Sequence, residues 1–265
     1  TVAIARLPDA TLQLGAFGVT FALALIVESP ILQMLSAGTA MARDREHYRR
    51  LLRFMHMLAL GLTAAHVALA LPWVYDPLLR HGVGVPEELI APSRAAFVAM
   101  VPWAAAVGYR RLWQGILIRY GRAKVVPTTM VIRLVVTFAL LGLGLLTEYA
   151  GGARVAAIAL IGGVVAGAVA SYVYARPVIR DRMEPGDPVA AVGYGELGRF
   201  YVPLAATSVI VLASRPILTF GIARAPEAVR SLAVWPVVMS FNFILFSLAL
   251  ALQEAIIALL RTRED

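Results

Sequence analysis

The sequence predicts an all-α membrane protein whose chain crosses the bilayer several times. Of its 265 residues, 60% are hydrophobic and 15% are charged, whereas a soluble domain has about 45–50% apolar and about 25% charged residues. Seven apolar spans follow one another, and each is long enough to cross about 30 Å of hydrocarbon as a helix. The composition excludes a cytosolic enzyme, a disordered segment and a fibrous repeat, because too few polar side chains are available to cover a soluble surface.

Charged and turn-forming residues separate the predicted spans. The spans cover about residues 12–42, 51–75, 95–118, 125–147, 155–174, 200–220 and 231–260. Glu28, Ser29 and Pro30 interrupt the first span, which predicts a break in its helix. Prolines inside other spans are compatible with helices, since neighbouring helices can satisfy the freed carbonyl groups.

The distribution of arginine predicts the orientation of the chain. Net charge is +8, and the bases cluster in the loops after the first, third, fifth and last spans. Such loops face the cytoplasm, so residue 1 is predicted to lie on the outer side of the membrane and residue 265 in the cytoplasm. The expected membrane is the bacterial inner membrane. The bases lie between apolar spans rather than on one stripe, so no nucleic acid partner is expected.

Several kinds of chemistry are excluded by residue type. The chain has no cysteine and four histidines, and none of the histidines is four residues from another, so neither a metal site nor a cofactor is expected. No catalytic cluster or nucleotide-binding loop is present, so the protein is predicted not to be an enzyme or to be driven by ATP. The single lysine, Lys124, lies in a loop and cannot form a retinal Schiff base within a span.

The sequence matches itself at an offset of 218 residues. Residues 1–46 and 219–264 are identical at 16 of 46 positions without a gap, where roughly five identities would arise by chance in this composition. Arg and Pro in loops are among the identities, which apolar bias cannot explain. The offset contains six spans, an even number, so two parallel repeats are predicted, related by an axis along the membrane normal.

The repeat predicts the domain organisation. The second copy is preceded by the sixth span, whereas nothing precedes the first copy in this chain. We therefore expect a fragment of a protein with two six-helix lobes. Residues 1–182 would be the first lobe without its first helix, residues 183–199 a cytoplasmic linker, and residues 200–265 the start of the second lobe.

Polar residues deep in the spans are the candidate site residues, because ionisable groups in hydrocarbon are costly. Glu28 lies near the middle of its span, and either couples transport to a proton or cation or stabilises the kink at Pro30. Arg133 and Arg215 are candidate ligands of an anionic substrate, although either could reach the membrane surface instead. Asn242 lies at a similar depth to Glu28 and is the third candidate for substrate binding.

Polar residues near the ends of the third span are predicted to be interfacial. Arg110, Arg111 and Gln114 lie near its inner end, where interfacial anchoring is favoured over a functional role. Trp103 belongs to a set of aromatic residues that is mostly assigned to the aromatic belt at the membrane surface. Small residues in the fifth span, including Gly163 and Gly167, predict close packing of helices.

Short motifs in the sequence resemble the progressive ankylosis protein family and its bacterial relatives. The motifs are Arg94–Phe97, Gly115–Ile118, Ser214–Ile217 and Ile222–Arg224, together with Phe17, Gly18 and Pro30. That family is similar in architecture to the multidrug and toxic compound extrusion (MATE) transporters and to lipid-linked oligosaccharide flippases. The resemblance implies two six-helix lobes around a central cavity, alternating access, and export of phosphate-rich or carboxylate-rich anions.

The predicted function is secondary active transport that exports a small anionic solute by alternating access. A coupling proton or sodium ion and the lipid bilayer are the other expected partners, and the intact protein is expected to be a monomer. The alternatives are a cation-coupled multidrug exporter, whose cavity should have acidic and aromatic walls, and a flippase for lipid-linked oligosaccharides, whose cavity should be strongly cationic.

Overall fold

The computed structural model describes residue 4 and residues 9–147, 151–187, 193–242 and 245. Within these ranges every regular element is helical. The helices are α1 (Ala10–Glu28), α2 (Met34–Met41), α3 (Arg45–Ala70), α4 (Pro72–Pro77), α5 (Glu87–Ala99), α6 (Trp103–Arg119), α7 (Val126–Thr147), α8 (Gly152–Asp181), α9 (Tyr194–Ala223) and α10 (228–242). The all-α fold predicted from the sequence is confirmed.

In the described residues, six helical segments are long and apolar enough to cross a membrane. They are Ala10–Met41, Arg45–Ala70, Glu87–Arg119, Ala123–Thr147, Gly152–Asp181 and Tyr194–Ala223. These segments overlap the first six predicted spans, with ends that differ by up to eight residues. The largest differences are that the third begins eight residues earlier and that the fifth ends seven residues later. The predicted seventh span, about 231–260, lies mostly outside the described residues. The chain is a multi-pass membrane protein.

The first span changes its helix type where the sequence predicts a break. α1 ends at Glu28, and a 3₁₀ segment, Ser29–Gln33, connects it to α2. The Ser29 hydroxyl donates to the carbonyl of Ile26 at 2.7 Å, and Pro30 cannot supply an amide hydrogen bond. The tighter turn therefore places the end of α1 and its Glu28 side chain beside α6.

Contacts between loops agree with the predicted alternation of the two sides of the membrane. The amide of Arg45, after the first span, donates to the carbonyl of Glu184, after the fifth span, at 2.9 Å. On the opposite side, Arg224 donates to the carbonyl of Val83 at 2.8 Å. Each pair joins two loops that the sequence predicts to lie on the same side.

Asp44 begins α3 as a helix N-cap. Its carboxylate accepts hydrogen bonds from the amides of Glu46 and His47, both at 2.9 Å, which satisfies donors that a helix leaves free at its start. Partial burial alone would raise the pKa of Asp44, but the hydrogen bonds from His47 and Glu46 outweigh that effect, so its pKa lies below the ordinary value.

Equivalent helices of the two predicted repeats, α1 and α10, pack together. A Cβ atom added to Gly18 on α1 would lie 2.8 Å from Cγ of Pro236 on α10 and 3.3 Å from the carbonyl oxygen of Leu232. In the ungapped alignment of the repeats, Gly18 corresponds to Pro236. A contact between equivalent positions is typical of a surface next to a two-fold axis. The duplication itself stays a prediction, since most of residues 1–8 and 243–264 lie outside the described residues.

Close packing fixes α6 and α7 relative to their neighbours. A Cβ atom added to Gly115 on α6 would lie 2.9 Å from the amide nitrogen of Thr39 on α2. A Cβ atom added to Gly163 on α8 would lie 2.8 Å from the carbonyl oxygen of Arg133 on α7. Only glycine permits such backbone contact. The predicted packing role of the small residues in the fifth span is confirmed, and α6 packs against both α2 and α8 while α7 packs against α8.

Candidate anion site

A buried carboxylate connects α1 to α6. Glu28 is buried, and its side chain accepts a hydrogen bond from the indole Nε1–H of Trp103. Trp103 is also buried, and its ring makes an edge contact with Phe21, with ring centroids 6.3 Å apart. The predicted membrane-surface position of Trp103 is therefore wrong, because α6 turns this residue toward α1.

Three guanidinium groups lie within electrostatic range of the Glu28 carboxylate. They belong to Arg110 and Arg111 on α6 and to Arg133 on α7. Arg133 also interacts electrostatically with Arg110 and Arg111. We call these four residues the arginine cluster; their formal charge is three positive charges minus one negative charge, or +2.

Glycine on α8 leaves space for two of the arginine side chains. A Cβ atom added to Gly167 would lie 3.3 Å from both Cδ of Arg110 and Cβ of Arg133. A larger residue at this position would press against both stems. α8 therefore provides the surface against which α6 and α7 bring their arginines together.

The hydrogen bonds of the arginine cluster leave donors available. One terminal nitrogen of Arg110 lies 3.4 Å from the sulfur of Met130, a weak acceptor. The Nε atoms of Arg110 and Arg111 are buried and have no hydrogen-bond partner among the described residues. A buried guanidinium with an unpaired donor is costly. The cluster is therefore suited to an additional anionic group that supplies acceptors and negative charge.

Arg110 and Gln114 are buried, with 5% and 2% of their surface exposed, so their predicted interfacial location is wrong. Gln114 donates to the hydroxyl of Thr129 on α7 at 3.1 Å. Arg110 and Gln114 both belong to one buried face of α6, because residues three or four positions apart lie on the same side of a helix. The face comprises Trp103, Val107, Arg110 and Gln114. This spacing places Arg110 and Gln114 on one face of α6 with Trp103, but it does not show from the sequence alone that this face is buried.

The remaining candidate residues lie elsewhere. Arg215 is half-buried on α9, next to Pro216, and Asn242 is exposed near the end of α10. α9 packs against α1 and the 3₁₀ segment, whereas α7, which carries Arg133, packs against α8. Arg133 lies within electrostatic range of Glu28, whereas Arg215 and Asn242 lie on α9 and α10.

Within the described part of the chain, no group of three or more histidine, aspartate or glutamate side chains could hold a metal ion. The charged groups that converge inside the helices are mainly cationic. Their chemistry is therefore electrostatic attraction and hydrogen-bond donation to an anion.

Together, the spans and the arginine cluster define a multi-pass membrane protein with an ionic site between its helices. No family model matches the sequence, and no curated protein matches it. The chain is similar to a solved structure described as the inward-facing conformation of a multidrug resistance MATE family transporter of the MOP superfamily. The TM-score is 0.69 and the sequence identity is 16%.

This similarity covers 85% of the present chain and 52% of that structure, so the chain spans about half of its length. At this identity the similarity shows the fold alone, and the chain has a MATE-type transporter fold. The predicted architecture is confirmed at that level. The resemblance to the progressive ankylosis family stays a prediction.

Proposed function

We propose that this chain is part of a secondary active transporter of the bacterial inner membrane that exports a small anionic solute by alternating access. The observation that carries the proposal is the arginine cluster, in which three guanidinium groups and one carboxylate lie between membrane-spanning helices. Its formal charge of +2 is costly in a bilayer unless an anion compensates it.

The chemistry of guanidinium favours a carboxylate or phosphate group on the solute. A guanidinium donates two parallel hydrogen bonds to either group and remains charged at physiological pH. Buried Nε donors on Arg110 and Arg111 are available for such bonds. A solute with two or more negative charges would neutralise the cluster while Glu28 stays ionised.

The composition of the cluster favours a proton over sodium as the coupling ion. Sodium would have to approach Glu28 against the repulsion of Arg110, Arg111 and Arg133. A proton neutralises the carboxylate without needing a set of oxygen ligands. We therefore assign Glu28 the coupling role, with its bond to Trp103 fixing its position when it is ionised.

The contact between α1 and α10 supports alternating access. Gly15 and Gly18 lie in the first half of α1, on the side predicted to be outside, and both approach the backbone of α10. We propose that this contact closes the outer side and that it separates when the protein opens outward. Alternation between a closed and an open contact of α1 with α10 would expose the arginine cluster to each side of the membrane in turn.

A multidrug exporter is the second candidate, because the similar solved structure is described as a multidrug resistance transporter. Trp103, which is hydrogen-bonded to Glu28, contacts Phe21, and Phe21 stacks on Phe17. This row of aromatic rings would suit an apolar cation. The surplus of arginine argues against this candidate, since a cationic drug would be repelled.

Replacing Arg133 tests the anion site. We expect Arg133→Ala to lower the kcat/KM of anion transport by about 30- to 100-fold, since a charge-assisted interaction contributes about 2–3 kcal/mol. Arg133→Lys keeps the charge without the paired donors, so its loss should be smaller. Transport of a panel of carboxylates and organic phosphates by the full-length protein in vesicles measures both effects.

The matched control is Arg154→Ala, which removes an exposed arginine at the start of α8. Arg215→Ala and Arg215→Lys belong in the same series, because the sequence also nominates Arg215. Equal transport by the Arg, Lys and Ala forms at position 133, with normal membrane insertion, would contradict the anion site.

A further inference from the structure

A second cationic pocket lies at the predicted cytoplasmic end of the helices, apart from the arginine cluster. It has a volume of about 360 Å³ and lies between the start of α3 and the end of α8. Its charged and aromatic walls are Arg45, Tyr48, Arg49, Tyr172, Arg176 and Arg180. We call it the inner arginine pocket. Its volume falls within the range of about 300–1,000 Å³ that small-molecule sites occupy.

The pocket keeps positive charge after its internal ion pairs are counted. Arg49 pairs with Glu46 at 3.2 Å, and Arg180 pairs with Asp181 at 2.7 Å. Four arginines minus these two carboxylates leave a formal charge of +2. The pair of Arg180 and Asp181 is exposed, where such pairs are weak, whereas Arg49 is an exposed arginine that reaches the buried Glu46.

Two arginines of the pocket have donors available for a ligand. The Arg45 side chain donates to the carbonyl of Arg180, while its Nε is buried without a hydrogen-bond partner in the described residues. Arg176 is exposed, and its side chain makes no hydrogen bond or ion pair within the described part of the chain. Both residues line the same cavity.

One face of α8 connects the pocket to the lipid-facing surface. Val165, Val169, Tyr172, Arg176 and Arg180 follow one another at intervals of four, three, four and four residues, so they form one stripe. Val165, Val169 and Tyr172 are 41%, 55% and 40% exposed. The stripe is apolar within the membrane, aromatic at the boundary and basic at its end.

We propose that the inner arginine pocket binds the phosphate headgroup of an anionic phospholipid in the inner leaflet. The basic end of the stripe matches a headgroup phosphate, and the valines match an acyl chain lying along α8. Basic pockets between membrane helices on the cytoplasmic side are suited to such headgroups. The proposal is independent of the transported solute, because it uses none of the residues of the arginine cluster.

Native mass spectrometry of the full-length protein, incubated with equal amounts of phosphatidylglycerol and phosphatidylcholine, tests the proposal. We expect the wild type to retain phosphatidylglycerol preferentially. Replacing Arg176 and Arg180 with Gln together should lower this preference about tenfold, since charge-assisted hydrogen bonds to the phosphate are lost. The lipid preference of the variant with Lys at both positions should lie between those of the wild type and the double Gln variant. This comparison shows whether the preference depends on charge alone.

The matched control removes the same charge outside the pocket, by Arg182→Gln with Arg199→Gln, both of which are exposed. It should keep the preference of the wild type. An unchanged preference in a folded Gln variant of the pocket would overturn the proposal. Binding of glycerol 3-phosphate that displaces the lipid at equal concentration would also overturn it, because the pocket would then recognise a soluble phosphate.

Discussion

Oxidation of a Gly18→Cys, Pro236→Cys double variant is expected to stop transport by the full-length protein, down to the level of empty vesicles. A Cβ atom at position 18 would lie 2.8 Å from Cγ of Pro236, so cysteines at the two positions would be close enough for a disulfide. The disulfide would hold α1 against α10 on the predicted outer side. Transport by alternating access requires that contact to separate.

The chain has no cysteine of its own, which simplifies the controls. Each single cysteine variant should transport under the same oxidising conditions, and a reductant should restore activity to the double variant. Removal of the Pro236 ring gives space for the new side chain at position 18. Full transport by a completely cross-linked protein would show that the contact does not open, and would contradict the proposed outer closure.

Replacement of Glu28 by Gln is expected to remove the dependence of anion binding on pH. In the wild type, the ionised carboxylate of Glu28 partly neutralises the arginines that would otherwise attract an anion. Proton binding to Glu28 removes this effect, so proton binding and anion binding favour each other. Gln carries no negative charge and keeps an oxygen that accepts the hydrogen bond from Trp103. The variant should therefore bind the anion about tenfold more tightly near neutral pH.

Anion affinity measured from pH 5 to 8, with and without a proton gradient across the vesicles, checks this expectation. Glu87→Gln is the control, because Glu87 is exposed and pairs with Arg80 at the start of α5. A pH dependence like that of the wild type in Glu28→Gln would reduce Glu28 to a residue that stabilises the end of α1.

Because proton binding and anion binding favour each other, the two ions are expected to cross the membrane together, in the same direction. A proton that moves with a divalent anion leaves one net negative charge on the moving pair. An interior-negative membrane drives that charge outward by about 2.3 kcal/mol per 100 mV. Export of the anion together with a proton would therefore be driven by the membrane potential and opposed by an inward proton gradient.

Much of the fold could be predicted from the sequence, because the bilayer requires long apolar helices and charged loops. The first six spans, the break after Glu28 and the pairing of loops on each side follow from hydropathy, proline and arginine alone. The close contact at Gly163 was predicted from small residues at helical spacing. In each case the signal is local in the sequence.

The site was harder to predict because depth along a span does not determine which way a side chain faces. Arg133 and Arg215 were both nominated by depth, yet only Arg133 lies in the arginine cluster with Glu28. Membrane helices are apolar on most sides, so their periodicity identifies the buried face poorly. Arg110 is buried because of how α6 packs against α8, which the sequence alone does not specify.

Transport by the full-length wild-type protein, in vesicles that contain no other protein, tests the anion site directly. The substrates to compare are dicarboxylates, tricarboxylates and organic phosphates on one side and cationic dyes on the other. We predict saturable transport of at least one multivalent anion, which other anions inhibit and cationic dyes do not. Transport of cationic dyes that no anion inhibits would contradict the anion site and would favour a multidrug exporter.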